Sequence, residues 1–67
     1  MKPFNFRIGR DNEEKDINNL IMKLGLYSDD VNIDYEQDEY IGVEMQISDE
    51  IDEGALHNLV NPFRYRK

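Results

Sequence analysis

Two runs of strict alternation occupy the middle of the chain and restrict what it can fold into. Val31-Asn32-Ile33-Asp34-Tyr35-Glu36 alternates apolar and polar side chains, and after Gln37-Asp38-Glu39 the pattern resumes through Tyr40-Ile41-Gly42-Val43-Glu44-Met45-Gln46-Ile47. A period of two sends successive side chains to opposite faces, so each run buries one face only and needs a sheet to do it. The short polar link makes the runs the two arms of a hairpin. Pairing Tyr35 with Ile41 sets Ile33 against Val43 and Val31 against Met45. Glu36, Asp34 and Asn32 then lie outward, opposite Tyr40, Gly42 and Glu44. A one-residue slip would turn the apolar set into water, so this register is the expected one. Gly42 leaves the outer face bare, which makes room for a bulge or for close approach by a partner.

The flanking sequence supplies partners for that hairpin. Pro3 to Ile8 alternates again, with Phe4, Phe6 and Ile8 inward and Asn5 and Arg7 outward. Asp11 is a candidate N-cap with Glu14 in the capping-box position, and Ile17, Leu20, Ile21 and Leu24 recur at helical spacing. This predicts a helix over about Asn12 to Leu24, closed by Gly25, with Leu26 folding back on the last turn. Ser48 caps a second expected helix, with Asp49 and Glu50 in its first turn and Ile51, Ala55, Leu56, Leu59 and Val60 as its apolar stripe. Pro62 discourages continuation. Phe63-Arg64-Tyr65-Arg66 then alternates once more, apolar in and basic out.

The element order is therefore β-α-β-β-α-β. It suits one small α+β domain over residues 1–67, a ferredoxin-like sandwich with a four-stranded antiparallel sheet and two helices on one face. Right-handed crossovers give the strand order 4-1-3-2. On that plan the open sheet face grades from Arg64 and Arg66, through Asn5 and Arg7, to Glu44, Asp34 and Glu36, with Arg7 and Glu44 as neighbours.

Size and composition exclude several functions. A chain of 67 residues buries only about 60% of its unfolded surface, so a deep pocket is not expected. There is no cysteine for disulfides or thiolate metal sites, which fits the cytoplasm. Apolar runs are too short for a membrane span or a signal-peptide core. A net charge of −7 makes nucleic acid and anionic membranes poor direct partners.

Catalytic chemistry finds little to work with. His57 is the one histidine, with Glu53 a turn earlier as its expected contact. The serines are Ser28 and Ser48, and threonine and cysteine are absent, so no nucleophile–base–orienter set can be assembled. Asp34, Glu36 and Asp38 alternate like a calcium loop. The positions that an EF-hand reserves for glycine and a bidentate glutamate hold Glu39 and Met45, so the motif fails. No enzyme activity, cofactor or metal is expected. Phe4, Phe6, Phe63 and Tyr65 share the parity of Ile8 and read as core rather than as base-stacking residues.

The charge distribution is the informative feature. Between Lys23 and Arg64 there is no lysine or arginine, while Asp29, Asp30, Asp34, Glu36, Asp38, Glu39, Glu44, Asp49, Glu50, Asp52 and Glu53 crowd the interval. Carboxylates projected at intervals can imitate a phosphate backbone and attract a protein that binds nucleic acid in a basic groove. In size, acidity and lack of cysteine the chain is similar to phage-encoded inhibitors, including anti-CRISPR proteins and inhibitors of DNA-repair enzymes. That resemblance implies a non-catalytic inhibitor whose partner is a larger protein with a basic, nucleic-acid-binding site, met in the host cytoplasm. The expected contact is Asp34, Glu36, Asp38, Glu39, Tyr40 and Glu44, with Asp49, Glu50, Asp52 and Glu53 as a second patch. The alternative is an oligomerising module in which the basic sheet edge of one copy meets the acidic edge of another.

Overall fold

A computed structural model of the chain describes residues 1–66. It contains β1 (Lys2–Gly9), α1 (Glu14–Leu24), β2 (Val31–Asp34), β3 (Tyr40–Ile47), α2 (Glu53–Val60) and a 3-10 turn, Asn61–Phe63. The strands form an antiparallel sheet of three in the order β1-β3-β2. Phe4, Phe6 and Ile8 from β1 and Ile41, Val43, Met45 and Ile47 from β3 meet Ile17, Leu20 and Leu24 of α1 and Leu56 and Val60 of α2 in one buried cluster. Both helices therefore cover the same sheet face, as the alternation requires.

The hairpin register is the expected one over its length: Val31 pairs with Met45, Asn32 with Glu44, Ile33 with Val43 and Asp34 with Gly42. It stops one pair early. Tyr35 does not face Ile41 but is 57% exposed. Asp34 Oδ1 accepts the Glu36 N–H at 2.9 Å, and Arg10 draws the carbonyls of Tyr35 and Gln37 toward itself, so the chain bends off the ladder. Gly42 carries no bulge, because the pairing of Arg7 with Gly42 and of Gly42 with Asp34 runs through it unbroken.

The helix ends differ from the sequence reading. Asp11 does not cap α1. The Asn12 N–H and side-chain amide both bond the Gly9 carbonyl, so the chain first makes a tight turn and the helix begins after Glu13, which caps with backbone alone. At the other end Gly25 stays right-handed, and the N–H groups of Leu26 and Tyr27 bond the carbonyls of Lys23 and Leu24. That continuation carries Leu26 outward to 86% exposure and packs Tyr27 on the core instead. Ser48 does not cap α2 either. Its Oγ accepts the Glu50 N–H in a turn, and Asp52 is the cap, accepting from the Gly54 and Ala55 N–H groups.

The expected fourth strand is reduced, among the described residues, to one antiparallel bridge between Ile8 and Arg64, made with the Tyr65 N–H donated to the Arg7 carbonyl at 2.8 Å. Asn61-Pro62-Phe63 spends three residues on a 3-10 turn, leaving little chain for a ladder. The turn also inverts the expected facing. Arg64 points back to α2, where Nε donates to Asn61 Oδ1 and Nη2 lies 3.0 Å from His57 Nδ1. Tyr65 lies instead against Tyr40, with ring centroids 5.6 Å apart. Lys67 lies outside the described residues.

Candidate functional site

The acidic residues singled out in the sequence fall at two ends of the molecule. β3 starts at Tyr40 beside the 35–39 loop and ends at Ile47 just before Asp49. An eight-residue strand spans roughly 26 Å at the usual rise, against a longest extent of 32 Å for the molecule. Asp34, Glu36, Asp38, Glu39 and Tyr40 are brought together at one end. Asp49, Glu50, Asp52 and Glu53 stand at the other, and Glu44 lies between them on the open sheet face.

The second patch is largely occupied by structural work. Asp52 caps α2. Glu53 lies 3.4 Å from the Lys2 ammonium, and Asp49 lies 3.7 Å from the amino group of Met1. Glu53 therefore faces Lys2 rather than His57, whose ring stands edge-on to Phe4 at 4.9 Å with its Nδ1 accepting from Arg64.

The hairpin end is different. Its acids divide into those that build the loop and those that face water. Asp34 holds the turn through the Glu36 N–H and through Gln37 Nε2 at 3.4 Å. Glu39 Oε2 accepts the Tyr65 hydroxyl at 2.9 Å. That hydrogen bond, reinforced by partial burial and by the Glu39 charge, raises the Tyr65 pKa above its ordinary value against an opposing pull from Arg7. Glu36, Asp38 and Glu44 are exposed and engage no cation or donor through their carboxylates among the described residues.

Two arginines hold this end together: Arg10, to which the sequence pattern gives no part, and Arg7, which that pattern sets beside Glu44. Arg10 donates from Nε to the Gln37 carbonyl at 2.9 Å and from Nη2 to the Tyr35 carbonyl at 2.6 Å. Arg7 stacks its guanidinium 4.7 Å from the Tyr40 ring centroid. The signal for Arg10 lay in the topology: antiparallel pairing of Gly9 with Tyr40 delivers the residue that follows β1 to the hairpin loop. Arg7 pairs with Gly42 and Asn5 with Glu44, so Arg7 and Glu44 are diagonal neighbours rather than direct ones. With Arg64 turned to α2 and Arg66 donating to the Asn61 carbonyl, the basic border expected on the open face is not formed as drawn.

Asn5, Arg7, Asn32, Asp34, Tyr40, Gly42 and Glu44 line a shallow open trough of about 550 Å³ across the sheet. Gly42 supplies its bare floor. The trough is mixed in charge and holds no nucleophile. Among the described residues no group of three or more histidine, aspartate or glutamate side chains is placed to hold a metal ion. No helix among them is long and apolar enough to cross a membrane. Comparison with family models, with curated proteins and with solved structures gave no match.

Proposed function

We propose that the chain is a non-catalytic acidic binding protein that inhibits a larger protein by occupying its basic, nucleic-acid-binding site. The observation that carries this reading is the construction of the hairpin end. Glu36 and Asp38 stand in water on a loop whose backbone is gripped by Arg10 and whose far side is tied to Tyr65. Ordering the loop before contact removes part of the entropy cost of binding. Asp34, Glu39 and Tyr40 then act as the scaffold of the contact, and Glu36, Asp38 and Glu44 as its charges. Long-range attraction between this end and a basic groove accelerates encounter and makes it salt-sensitive. Asp49, Asp52 and Glu53 have partners within the fold, Met1, the α2 N-terminus and Lys2, and with the exposed Glu50 they form the second, more distant patch of the proposed surface. For the fold, the Ile8–Arg64 bridge beside β1 supports the ferredoxin-like order 4-1-3-2, with the C-terminal segment as a vestigial outer strand.

The test is capture of partners from bacterial lysate on the immobilised protein, with duplex DNA as competitor and with added salt. A DNA-handling protein that is recovered, displaced by DNA and lost at raised salt is the expected result. The double variant Glu36→Lys/Asp38→Lys should keep its circular dichroism and melting temperature while losing the capture. Unchanged capture by that variant would overturn the assignment.

A further inference from the structure

The two borders of the sheet are built differently. On β1, the Tyr65 N–H bonds the Arg7 carbonyl, which fixes Arg7, Asn5 and Pro3 as the residues whose backbone faces away from β3. Of these, Arg7 is already engaged and Pro3 has no N–H to offer, so this edge is blunted. On β2, the Gln46 N–H bonds the Asp30 carbonyl. Alternation then turns the backbone of Asn32 and Asp34 to β3 and that of Val31 and Ile33 outward. Among the described residues, the N–H and C=O groups of Val31 and Ile33 have no partner outside the sheet. The open edge thus presents two donors and two acceptors in extended register.

What surrounds this edge selects its occupant. Val31 and Ile33 are half-buried on the core face, while Asn32 and Asp34 are exposed on the open face. Asp29 and Asp30 precede the strand, and Glu36 and Asp38 follow it, all exposed. A strand laid beside β2 would place alternate side chains against Val31 and Ile33 and the others against Asn32, Asp34 and the flanking acids. Apolar residues satisfy the first set and lysine or arginine the second. A second copy of β2 would instead add its own acids to these.

We propose that the free edge of β2 takes up an extended segment of the partner, alternately basic and apolar, as an added strand of the sheet. This rests on the reading of the hairpin end as an acidic contact surface and deepens it by naming the backbone geometry of the contact. The Arg10 clamp keeps the chain beyond Asp34 bent away, which leaves the edge clear at its C-terminal end.

The test uses the capped peptide Lys-Val-Lys-Val-Lys-Val-Lys and amide hydrogen exchange of the isotope-labelled full chain. Strand addition should slow exchange at Val31 and Ile33 at least tenfold at saturation. Asn32 and Asp34, already facing β3, should change far less. The same peptide N-methylated at the residues facing β2 should bind at least tenfold more weakly, and so should the unmodified peptide to Val31→Pro, which removes one outward donor while sparing the ladder to β3. Equal binding of the methylated peptide, or unchanged exchange at Val31 and Ile33, would overturn strand addition while leaving the DNA-competed capture by Glu36 and Asp38 to stand or fall on its own test. Slowed exchange that depends on protein concentration without peptide would also overturn it, by assigning the edge to self-pairing.

Discussion

The Tyr65 hydroxyl donates to Glu39 Oε2 at 2.9 Å, tying the C-terminal segment to the far end of the hairpin across 26 residues of sequence. The bond requires a protonated phenol. Glu39 and partial burial raise the Tyr65 pKa, so the folded chain holds that proton more tightly than the unfolded chain. Near and above pH ~10, the ordinary tyrosine value, the folded state therefore binds more protons. The contribution of this bond is intact below that pH and is lost as pH rises through the raised folded value. Phenolate absorbance should show one tyrosine titrating late, and Tyr65→Phe should remove that step. Glu39→Gln should bring it back toward the ordinary range.

Arg10 acts through geometry rather than charge alone. Its planar fork serves two carbonyls at once, which an ammonium on a flexible stem does not reproduce. Arg10→Lys should cost about 1 kcal/mol in urea denaturation and should speed amide exchange across residues 35–39. If the ordered loop aids binding, the same variant captures partner more slowly although every carboxylate is retained.

Asp52 separates a structural acid from a contact acid. Loss of its side-chain oxygen leaves the Gly54 and Ala55 N–H groups without their partner. Asp52→Ala should lower stability by about 1 kcal/mol, and Asp52→Asn should recover most of it. Ser48→Ala, at the residue that the sequence pattern favours as the cap, should change stability by less than about 0.5 kcal/mol. Thermal melts distinguish the two, and capture should be unaffected by Asp52→Asn.

These side-chain partners mark where the sequence was readable. Periodicity specified which side of Val31, Ile33, Val43 and Met45 meets the core, because burial of one face admits one register. It equally placed Ile17, Leu20 and Leu24 under α1. Termini were harder, since Asp11, Asp52 and Ser48 all satisfy the composition of a cap and only the turn geometry chooses among them. Asn12 decided the start of α1 by bonding both Gly9 and Phe63, the latter a contact with no local signature. The 3-10 turn at Pro62 rotated Arg64 and Tyr65 against their apparent parity, which undid the basic border. The acids of the hairpin were legible as a group, but their division into loop-building Asp34 and Glu39 and water-facing Glu36 and Asp38 depends on tertiary partners.

Gly42 offers the most direct probe of the open face. Its φ is not positive, and an added Cβ would lie 3.5 Å from the Asp34 Cβ and 3.9 Å from a Tyr40 ring carbon, which is ordinary contact. Glycine in a strand interior costs roughly 0.5–1 kcal/mol relative to alanine through the freedom that it loses on folding. Gly42→Ala should therefore raise the melting temperature and leave the hairpin register intact. The methyl group also fills the floor of the trough between Arg7 and Asp34. A variant that melts higher yet captures its partner less well would show that the partner descends onto the sheet face at this position. Higher stability with undiminished capture would confine the contact to the loop and the β2 edge.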